Sequence, residues 1–470
     1  MKKTKIVCTI GPVSYSKEVL KQLIKEGMNV ARINLSHANH SFCEKTIKNI
    51  RELNKELDTN ISIMLDLQGP EIRVGQFKNG SASLEKGSII RIVKGDIIGD
   101  KASFSTNYKE LYKDIRIGNK ILLNDGLIEL LVIGFEASDI ICRVEAEGII
   151  EDNKGVNIPG VKINTPFITK KDKEDIIFAC KMNIDFLALS YVSNSFDTLD
   201  VTDLLIELGN DHINIISKIE TRSAIEELDE IIKVSDGIMV ARGDLGVEIP
   251  MEKVPHIQKE IIDKCHIANK VSIIATEMLS SMQSSRRPTR AEVSDVANAV
   301  LDSADAVMLS GETTIGDYPV ETVSVMSRII ESTEEDINYY ELIDKAMRTE
   351  KQDITGAISY SVVESADKLR AKAVIASTNS GLTAKRVSRF RPRCPIIAPT
   401  PYDDTAKILT LNWGVYAVLV DKYDSTDEIV SKCKEVAKKL LNLEEKDVII
   451  ITGGFPAETM HTNFMKIEEI

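Results

Sequence analysis

Lys218, Glu220 and Asp244 are the residues whose types and spacing indicate chemistry most directly. Lys218 and Glu220 lie two apart in the apolar run "IISKIET", so in a strand both would point to one face. Asp244 follows in "ARGDLG", whose glycines let backbone amides approach an anion. Two carboxylates suit Mg²⁺, and an adjacent lysine would stabilise charge on a transferring phosphoryl group or a developing enolate.

Other interpretations of these three residues remain open from the residues alone. Lys218 would serve a structural purpose if it only neutralised Glu220, and the glycines of "ARGDLG" also occur in turns for conformational reasons. A lysine in a barrel is also a Schiff-base nucleophile in some aldolases, although those enzymes need no metal pair.

Eight short apolar runs, most of them followed by an amphipathic segment, must position these side chains. The runs are "TKIVCTIG", "NVARINLSH", "ISIMLDLQG", "IDFLALSYV", "INIISKIET", "DGIMVARGDLG", "KVSIIATEM" and "DAVMLSGET". A capping box at Thr289 and Glu292 predicts the start of one helix. Near-continuous apolar strands alternating with helices fit a closed parallel α/β barrel of the (β/α)8 TIM type better than an open sheet, which periodicity does not exclude.

Barrel enzymes carry their reactive side chains at the C-terminal ends of the strands. Six of the eight runs end in polar residues: Arg32, Asn34, Ser36 and His37; Asp66; Lys218 and Glu220; Arg242 and Asp244; Thr276 and Glu277; Ser310 and Glu312. Surface ion pairing explains any one of them. Their coincidence on six strands instead favours a magnesium-dependent barrel enzyme with an anionic phosphate or carboxylate substrate.

The barrel pattern is interrupted once and then ends. We expect a first barrel part over 1–70, an inserted all-β lid domain over 71–165, a second barrel part over 166–345 and a C-terminal open α/β regulatory domain over 346–470. Within the insertion, Asp125-Gly126 predicts a tight turn between strands. An insertion after a barrel strand is suited to close over a substrate.

The composition excludes several classes of protein. The 470 residues are 43% hydrophobic and 28% charged, with a formal net charge of -13 spread along the chain, which argues against nonspecific nucleic-acid binding. No apolar run approaches the roughly 20 residues of a membrane span, and the N-terminus breaks at Gly11-Pro12 too early for a signal peptide. Seven cysteines without C-x-x-C spacing indicate neither a disulfide framework nor a zinc site, so we expect a cytoplasmic protein.

Along essentially its whole length the chain resembles the pyruvate kinase family. The matching motifs include "TKIVCTIGP", "GMNVARINLSH", "LDLQGPEIR", "KGVNIPG", "ISKIET", "DGIMVARGDLGVEIP", "ATEML" and "RPTRAEVSDVANAVLDSADAVMLSGETTIGDYP". The resemblance implies the same three-part architecture. It also implies magnesium-dependent phosphoryl transfer from phosphoenolpyruvate to ADP in glycolysis, giving ATP and the enolate of pyruvate.

By position, the resemblance assigns roles to residues of the barrel and the lid. Lys218 matches the lysine that stabilises the transferring phosphoryl group, Glu220 and Asp244 match the divalent-metal ligands, and Arg32 matches the arginine near the substrate phosphate. The substrate carboxylate is matched by Gly243, Asp244 and Thr276, and Thr276 also lies on the proton route to the enolate. The nucleotide contacts are matched by Asn34, His37, Arg73 and Lys154. Asp125 matches a lid residue that approaches the site, and Ser310 and Glu312 match supporting residues.

A potassium site is also implied, from the side chains of Asn34, Ser36 and Asp66 and the backbone oxygen of Leu67. Potassium-dependent members commonly read Asp-Thr-Lys-Gly-Pro-Glu, and potassium-independent members tend to read Asp-Leu-Gln-Gly-Pro-Lys. This chain reads "DLQGPE", a mixture. A final lysine would supply an internal cation whereas Glu71 adds negative charge, so we predict potassium dependence.

The C-terminal region carries the least specific expectations. "ASTNSG" follows a predicted strand and precedes a helix, so Thr378, Ser380 and Thr383 are expected to bind the phosphate of an effector, with a helix cap as the alternative. Asn379 and Leu382 replace basic residues of the sugar-bisphosphate-activated forms, and "TGGFPAETMHTNF" contains no Arg or Lys, so the effector's identity does not follow.

The resemblance further implies an allosteric homotetramer with the predicted helix over 289–301 as a subunit contact. From the sequence itself we expect no nucleic-acid or membrane partner and no additional phosphohistidine-type domain after Ile470. Two other functions are retained as alternatives. A phosphoenolpyruvate mutase or carboxylate lyase would keep the carboxylate pair without needing the lid, and a silent metabolite sensor would be expected to have lost Lys218 or its partners.

Overall fold

The computed structural model of the chain describes residues 1–161, 163–349, 353–422, 426–454 and 461–470. The first barrel part contains β1 (Lys5–Thr9), α1 (Lys17–Glu26), β2 (Val30–Asn34), α2 (His40–Leu57) and β3 (Ser62–Asp66). The segment that follows contains β4 (Ser81–Leu84), β5 (Ile89–Val93), β6 (Ser103–Ser105), α3 (Leu111–Asp114), β7 (Lys120–Leu123), β8 (Ile128–Glu136), β9 (Asp139–Ala146), β10 (Gly148–Glu151) and β11 (Val156–Asn157).

The chain then returns to alternating helices and strands. These are α4 (Lys170–Met182), β12 (Phe186–Leu189), α5 (Ser195–Glu207), β13 (Asn214–Ile219), α6 (Arg222–Glu226), α7 (Leu228–Val234), β14 (Gly237–Ala241), α8 (Arg242–Glu248), α9 (Val254–Ala268), β15 (Val271–Ala275), α10 (Arg290–Leu301), β16 (Ala306–Leu309), α11 (Gly311–Thr314), α12 (Pro319–Glu335) and α13 (Tyr339–Arg348). The capping box at the start of α10 is confirmed, since the side chains of Thr289 and Glu292 each accept from the other's backbone N–H.

The C-terminal elements are α14 (Ile354–Lys368), β17 (Ala373–Ala376), α15 (Leu382–Arg389), β18 (Ile396–Thr400), α16 (Asp403–Ile408), β19 (Val415–Leu419), α17 (Thr426–Leu440), β20 (Val448–Gly453) and β21 (Phe464–Glu469). They form a sheet in the order β19-β18-β17-β20-β21, parallel except for β21. The predicted open α/β domain is confirmed, and the antiparallel edge strand β21 is an addition that the apolar runs had not indicated.

Eight parallel strands close the predicted barrel. Their order is β1-β16-β15-β14-β13-β12-β3-β2, and β1 pairs with both β16 and β2. Alternate residues of each strand point inward, and the interior is filled by side chains such as Val7, Met64, Ile216 and Met239, whereas the other face packs against the helices. Because all strands run in one direction, their C-terminal ends meet at one mouth.

The inserted segment lies between β3 and β12 and has its own hydrophobic cluster. A two-stranded sheet pairs β10 with β4, and a six-stranded sheet has the order β11-β7-β8-β9-β5-β6. At the predicted Asp125-Gly126 turn, Asn124, Asp125 and Gly126 all have positive φ, and Gly126 faces the Val247 side chain of α8. The tip of this hairpin therefore lies against the barrel mouth.

A buried ion pair joins the C-terminal domain to the N-terminal end of the barrel strands, opposite the mouth. Arg391 lies 3.0 Å from Asp305, and both residues are less than 5% exposed. Asp305 also accepts from the backbone N–H groups of Ser272 and Trp413. Trp413, the only tryptophan of the chain, is 1% exposed and packs beneath the Arg391 guanidinium.

Among the described residues, none of the helices combines the length and the apolar character needed to cross a bilayer.

Removal of Asp305 tests how strongly this contact holds the two domains. Asp305→Ala leaves Arg391 buried without its counter-charge, and we expect the free energy of unfolding to fall by about 3–5 kcal/mol. Urea unfolding followed by Trp413 fluorescence measures the change. Asp344→Ala is the matched control: Asp344 pairs with the exposed Arg348 on α13, so a loss above about 0.5 kcal/mol is not expected there. Equal losses in both variants would contradict the prediction.

Candidate functional site

The alternation of side chains along the barrel strands explains why charged groups face the mouth. Ile216 lies in the barrel interior, so Lys218 and Glu220, two and four residues later, lie on the same inward face. The same spacing relates Met64 to Asp66 on β3, and Val30 to Arg32 and Asn34 on β2. Each strand is therefore apolar at its base and polar at its C-terminal end, on one face.

Asp66 connects the two cationic side chains of the mouth. Its Oδ2 accepts from Arg32 Nε at 2.7 Å and lies 2.7 Å from Arg32 Nη2, and its Oδ1 lies 3.3 Å from Lys218 Nζ. Asp66 is fully buried. Burial by itself would raise the pKa of Asp66, but Arg32 and Lys218 outweigh it and hold the pKa below its usual value. Asp66 is thus ionised and fixes both cations.

Lys218 is held by three groups. Its Nζ lies 2.8 Å from Glu220 Oε1 and donates to Ser190 Oγ at 2.7 Å, in addition to its contact with Asp66. Burial opposes the charged form, yet the carboxylates of Asp66 and Glu220 raise the pKa of Lys218 above its usual value. The side chain is therefore an ammonium group at neutral pH, 8% exposed and directed at the mouth.

Ser190 was missed in the sequence. It follows β12, and its hydroxyl donates to the backbone oxygen of Leu67 at 2.8 Å while it accepts from Lys218. The signal was a polar residue at the end of the run "IDFLALSYV", the same signal that identified the other strand ends. Tyr191, the next residue, donates its backbone N–H to Glu220 Oε2 at 2.6 Å.

Glu220 and Asp244 contribute to an excess of negative charge on one side of the mouth. Burial, followed by the charge of Glu220, raises the pKa of Asp244 to about 7. The carboxylates of Asp125 and Glu71 act in the same direction, and Lys218 only partly compensates. Carboxylates gathered this closely around Asp244 are suited to share a divalent cation. The described residues contain no cluster of three or more metal-ligating side chains, so a cation here would need further ligands from water and substrate.

Thr276 follows β15 in a strained backbone conformation. Its φ is 67°, in the left-handed region that β-branched residues rarely adopt, and Glu277 follows with φ of 55°. Each such residue costs about 1–3 kcal/mol. The Thr276 hydroxyl accepts from the backbone N–H of Gly243 at 2.9 Å and donates to the backbone oxygen of Ala275 at 2.6 Å. The predicted carboxylate-binding residues Gly243 and Thr276 are therefore in direct contact.

A cavity of about 260 Å³ unites most of the predicted site residues. Its lining includes Arg32, Asn34, Ser36, His37, Arg73, Lys218, Glu220, Asp244, Thr276 and Ser310. A second cavity of about 610 Å³ shares Arg32, Asn34, His37 and Ser310 with the first and is otherwise lined largely by backbone and apolar groups, including Pro12, Phe42 and Ile315. An ionic pocket therefore adjoins a less polar one at the same mouth.

The residues predicted from the inserted segment are distributed unevenly. Arg73 lines the ionic cavity and is paired with Glu71, whose Oε2 lies 2.6 Å from Nη2. Asp125 is near enough to influence Asp244. Lys154 does not line this cavity, and its Nζ lies 3.3 Å from Glu151.

The four residues predicted to bind potassium lie around the ends of β2 and β3. Their strand register places Asn34 opposite Asp66. Asn34 Oδ1 accepts from the backbone N–H of Ser36 at 3.0 Å, and the Leu67 oxygen accepts from Ser190. The supporting residues lie nearby: Glu312 accepts from the backbone N–H groups of Leu279 and Ser310.

The predicted effector residues lie in the C-terminal domain, at the start of α15. Thr378 Oγ1 accepts from the backbone N–H of Gly381 at 2.9 Å, and Thr383 Oγ1 lies 2.9 Å from Thr462 Oγ1. Gly381 itself is the N-cap of α15 and no side chain caps this helix, so the alternative of a cap by Thr378 or Ser380 is wrong. Ser380 is exposed. Residues 455–460 of "TGGFPAETMHTNF" lie outside the described residues.

Comparisons with known proteins agree over the whole chain. Residues 1–323 match the family model "Pyruvate kinase, barrel domain", and residues 356–468 match "Pyruvate kinase, alpha/beta domain". The chain is 46% identical over 474 residues to the pyruvate kinase of Clostridium perfringens, with all of both chains covered. It is 44% identical to that of Geobacillus stearothermophilus, covering 100% of this chain and 80% of the relative. The crystal structure of a pyruvate kinase from Cryptosporidium parvum superposes with a TM-score of 0.94 at 40% identity, covering 100% of this chain and 96% of that one.

Proposed function

The chain belongs to the pyruvate kinase family of phosphotransferases that act on phosphoenolpyruvate and ADP, and we propose that it catalyses this transfer as the last step of glycolysis, with Mg²⁺ and K⁺. The observation that carries the proposal is the convergence of Lys218, Glu220 and Asp244 on one cavity at the barrel mouth. Arg32 adds a second cation to the same cavity. Such a pocket is suited to a substrate that carries both a phosphate and a carboxylate.

Lys218 and Arg32 act on the phosphoryl group. The bond between phosphorus and the enol oxygen of phosphoenolpyruvate breaks as a terminal oxygen of ADP bonds to phosphorus, which leaves the enolate of pyruvate. Lys218 stabilises the phosphoryl group in transfer, and Arg32 orients it. Both side chains are fixed in advance by Asp66, so little reorganisation is needed as the charge moves.

Gly243, Asp244 and Thr276 act on the other end of the substrate. The backbone of Gly243 and Asp244 and the hydroxyl of Thr276 hold the carboxylate, which aligns the enol carbon with the site. Thr276 also belongs to the route by which a proton reaches the methylene carbon of the enolate. The contact between Gly243 and Thr276 supports their joint use.

The nucleotide occupies the second cavity. Its phosphates meet Asn34 and His37 at the shared wall and Arg73 on the side of the first cavity. The base lies against less polar groups such as Pro12 and Ile315. Lys154, on the lid, reaches the nucleotide phosphates when the lid domain over 71–165 closes on the barrel.

Glu220 and Asp244 are the ligands for the divalent metal, Mg²⁺ or Mn²⁺. The fit is supported by the burial of Asp244 and the carboxylates around it, which together raise its pKa to about 7. When bound, the metal neutralises negative charge on the phosphate and the enolate oxygen. Asn34, Ser36, Asp66 and Leu67 supply the oxygens for K⁺, supported by the pairing of Asn34 with Asp66 across adjacent strands.

We place the protein in the cytoplasm and expect a homotetramer without a nucleic-acid or membrane partner. Within each chain, the domain boundaries lie at residues 70, 165 and 345. Val293 and Leu301 of α10 are 37% and 50% exposed, which supports this helix as a subunit contact. A phosphorylated effector would bind at Thr378, Ser380 and Thr383.

The first test is the reaction itself. The purified protein with phosphoenolpyruvate, ADP, Mg²⁺ and K⁺ is expected to form pyruvate and ATP in equal amounts, measured by coupling to lactate dehydrogenase and to hexokinase. Lys218→Met is the negative control. No pyruvate from the wild-type protein under these conditions would contradict the proposal.

Replacement of Lys218 is expected to lower turnover, whereas replacement of Glu220 is expected to weaken metal binding. Lys218→Met removes an interaction made to the group in transfer and should lower kcat by about 10³-fold or more with little change in the KM for phosphoenolpyruvate. Glu220→Gln replaces an anionic metal ligand with a neutral one and should weaken Mn²⁺ binding by roughly 10- to 100-fold, measured by titration calorimetry. If both variants mainly raised KM with kcat intact, the assigned roles would be wrong.

Potassium dependence follows from Glu71 in place of the lysine of potassium-independent members. In rigorously potassium-free buffer balanced with tetramethylammonium, activity is expected to fall at least tenfold below its value in potassium. Glu71→Lys supplies an internal cation and should reduce the dependence. Full wild-type activity in tetramethylammonium would contradict this prediction.

A further inference from the structure

Arg242 contacts the strained segment that carries Thr276 but lines neither cavity of the mouth. Its Nη2 donates to the backbone oxygen of Thr276 at 2.6 Å, and its Nε donates to that of Ala275 at 3.3 Å. One planar guanidinium thus bridges two successive carbonyl groups where the backbone turns into the left-handed region. We call this pair of hydrogen bonds the fork of Arg242. A lysine, with a single ammonium group, does not reproduce it.

The other side of the Arg242 guanidinium is fixed by neighbouring helices. Nη1 donates to Asp295 of α10 at 2.7 Å and approaches Gln258 of α9 at 3.4 Å. The Arg242 side chain is only 10% exposed. Asp295 therefore balances the charge of Arg242 on the side away from the mouth, and the remaining N–H groups of Arg242 are oriented toward the two carbonyls.

The consequence is the position of the Thr276 hydroxyl. That hydroxyl faces the cavity because the Thr276 backbone is in the left-handed region, and there it meets the N–H of Gly243. An extended backbone at Thr276 would direct its side chain elsewhere and separate it from Gly243. A conformation of this kind persists only where its surroundings impose it.

We propose that Arg242 is a positioning residue, which holds Thr276 in its strained conformation so that its hydroxyl meets the substrate carboxylate and the proton route to the enolate. This inference rests on the proposed function of Thr276. Asp295 orients Arg242 and so acts through it on the same hydroxyl.

A double-mutant cycle tests the proposal. Arg242→Lys and Thr276→Ala are each expected to lower kcat/KM for phosphoenolpyruvate by roughly 10- to 100-fold, since small misplacements at a reacting centre have effects of this size. Because Arg242 acts through Thr276, the double variant should lie within about threefold of Thr276→Ala. The KM for ADP should change less than about twofold in Arg242→Lys, whereas general damage to the barrel would affect both substrates.

A second variant and a matched control complete the experiment. Asp295→Asn leaves the fork in place but weakens its orientation, so a loss of about threefold to tenfold is expected, again absent in the Thr276→Ala background. This variant carries the test if Arg242→Lys does not fold. Arg348→Lys, at an exposed arginine of α13, should retain full activity.

Losses that multiply in the double variants, or activity of Arg242→Lys within about twofold of wild type, would overturn the inference. An inactive wild-type protein would instead overturn the proposed function, so the two failures are distinguishable.

Discussion

The carboxylate of Asp66 is the group on which the geometry of the barrel mouth depends. It is fully buried, and it binds Arg32 through one oxygen and Lys218 through the other. Two cations confined this closely would repel each other and favour deprotonation of the lysine. The ionised carboxylate between them keeps Lys218 charged and holds both side chains where a phosphate would meet them. A buried charge network of this kind contributes less to stability than to a single well-defined arrangement.

The closed barrel makes that network possible. The mouth brings together residues that are far apart in sequence, because β2, β3 and β13 run in the same direction and every second side chain of each strand points inward. Arg32 and Lys218 are 186 residues apart in the sequence, yet both contact Asp66. The apolar interior beneath them excludes water, which strengthens each of these interactions.

The inserted segment and the C-terminal domain contact opposite ends of the barrel. The inserted segment places the turn around Asp125 close to Asp244, so the charge at the mouth depends on where that segment lies. At the opposite end, the pair of Arg391 and Asp305 ties the C-terminal domain to the barrel, with Trp413 beneath the Arg391 guanidinium. At the mouth itself, Thr276 and Glu277 adopt a left-handed conformation that opposes local preference. Such segments take their shape from neighbours such as Arg242 rather than from their own sequence.

The sequence by itself determined the fold class and most of the candidate residues. Apolar runs of strand length, helix caps such as Thr289, and polar residues at strand ends are local patterns, and they sufficed to predict the barrel, the inserted β-rich segment and the C-terminal α/β domain. The resemblance in long motifs then attached roles to Lys218, Glu220 and Asp244, which remain predictions. Only the tertiary structure decided which partners these groups have. Ser190 between Lys218 and Leu67, Arg73 paired with Glu71, Lys154 turned toward Glu151, and the fork of Arg242 on Thr276 all depend on distances between separate elements. Local periodicity specifies the face a side chain occupies, whereas its contacts follow from how the elements pack.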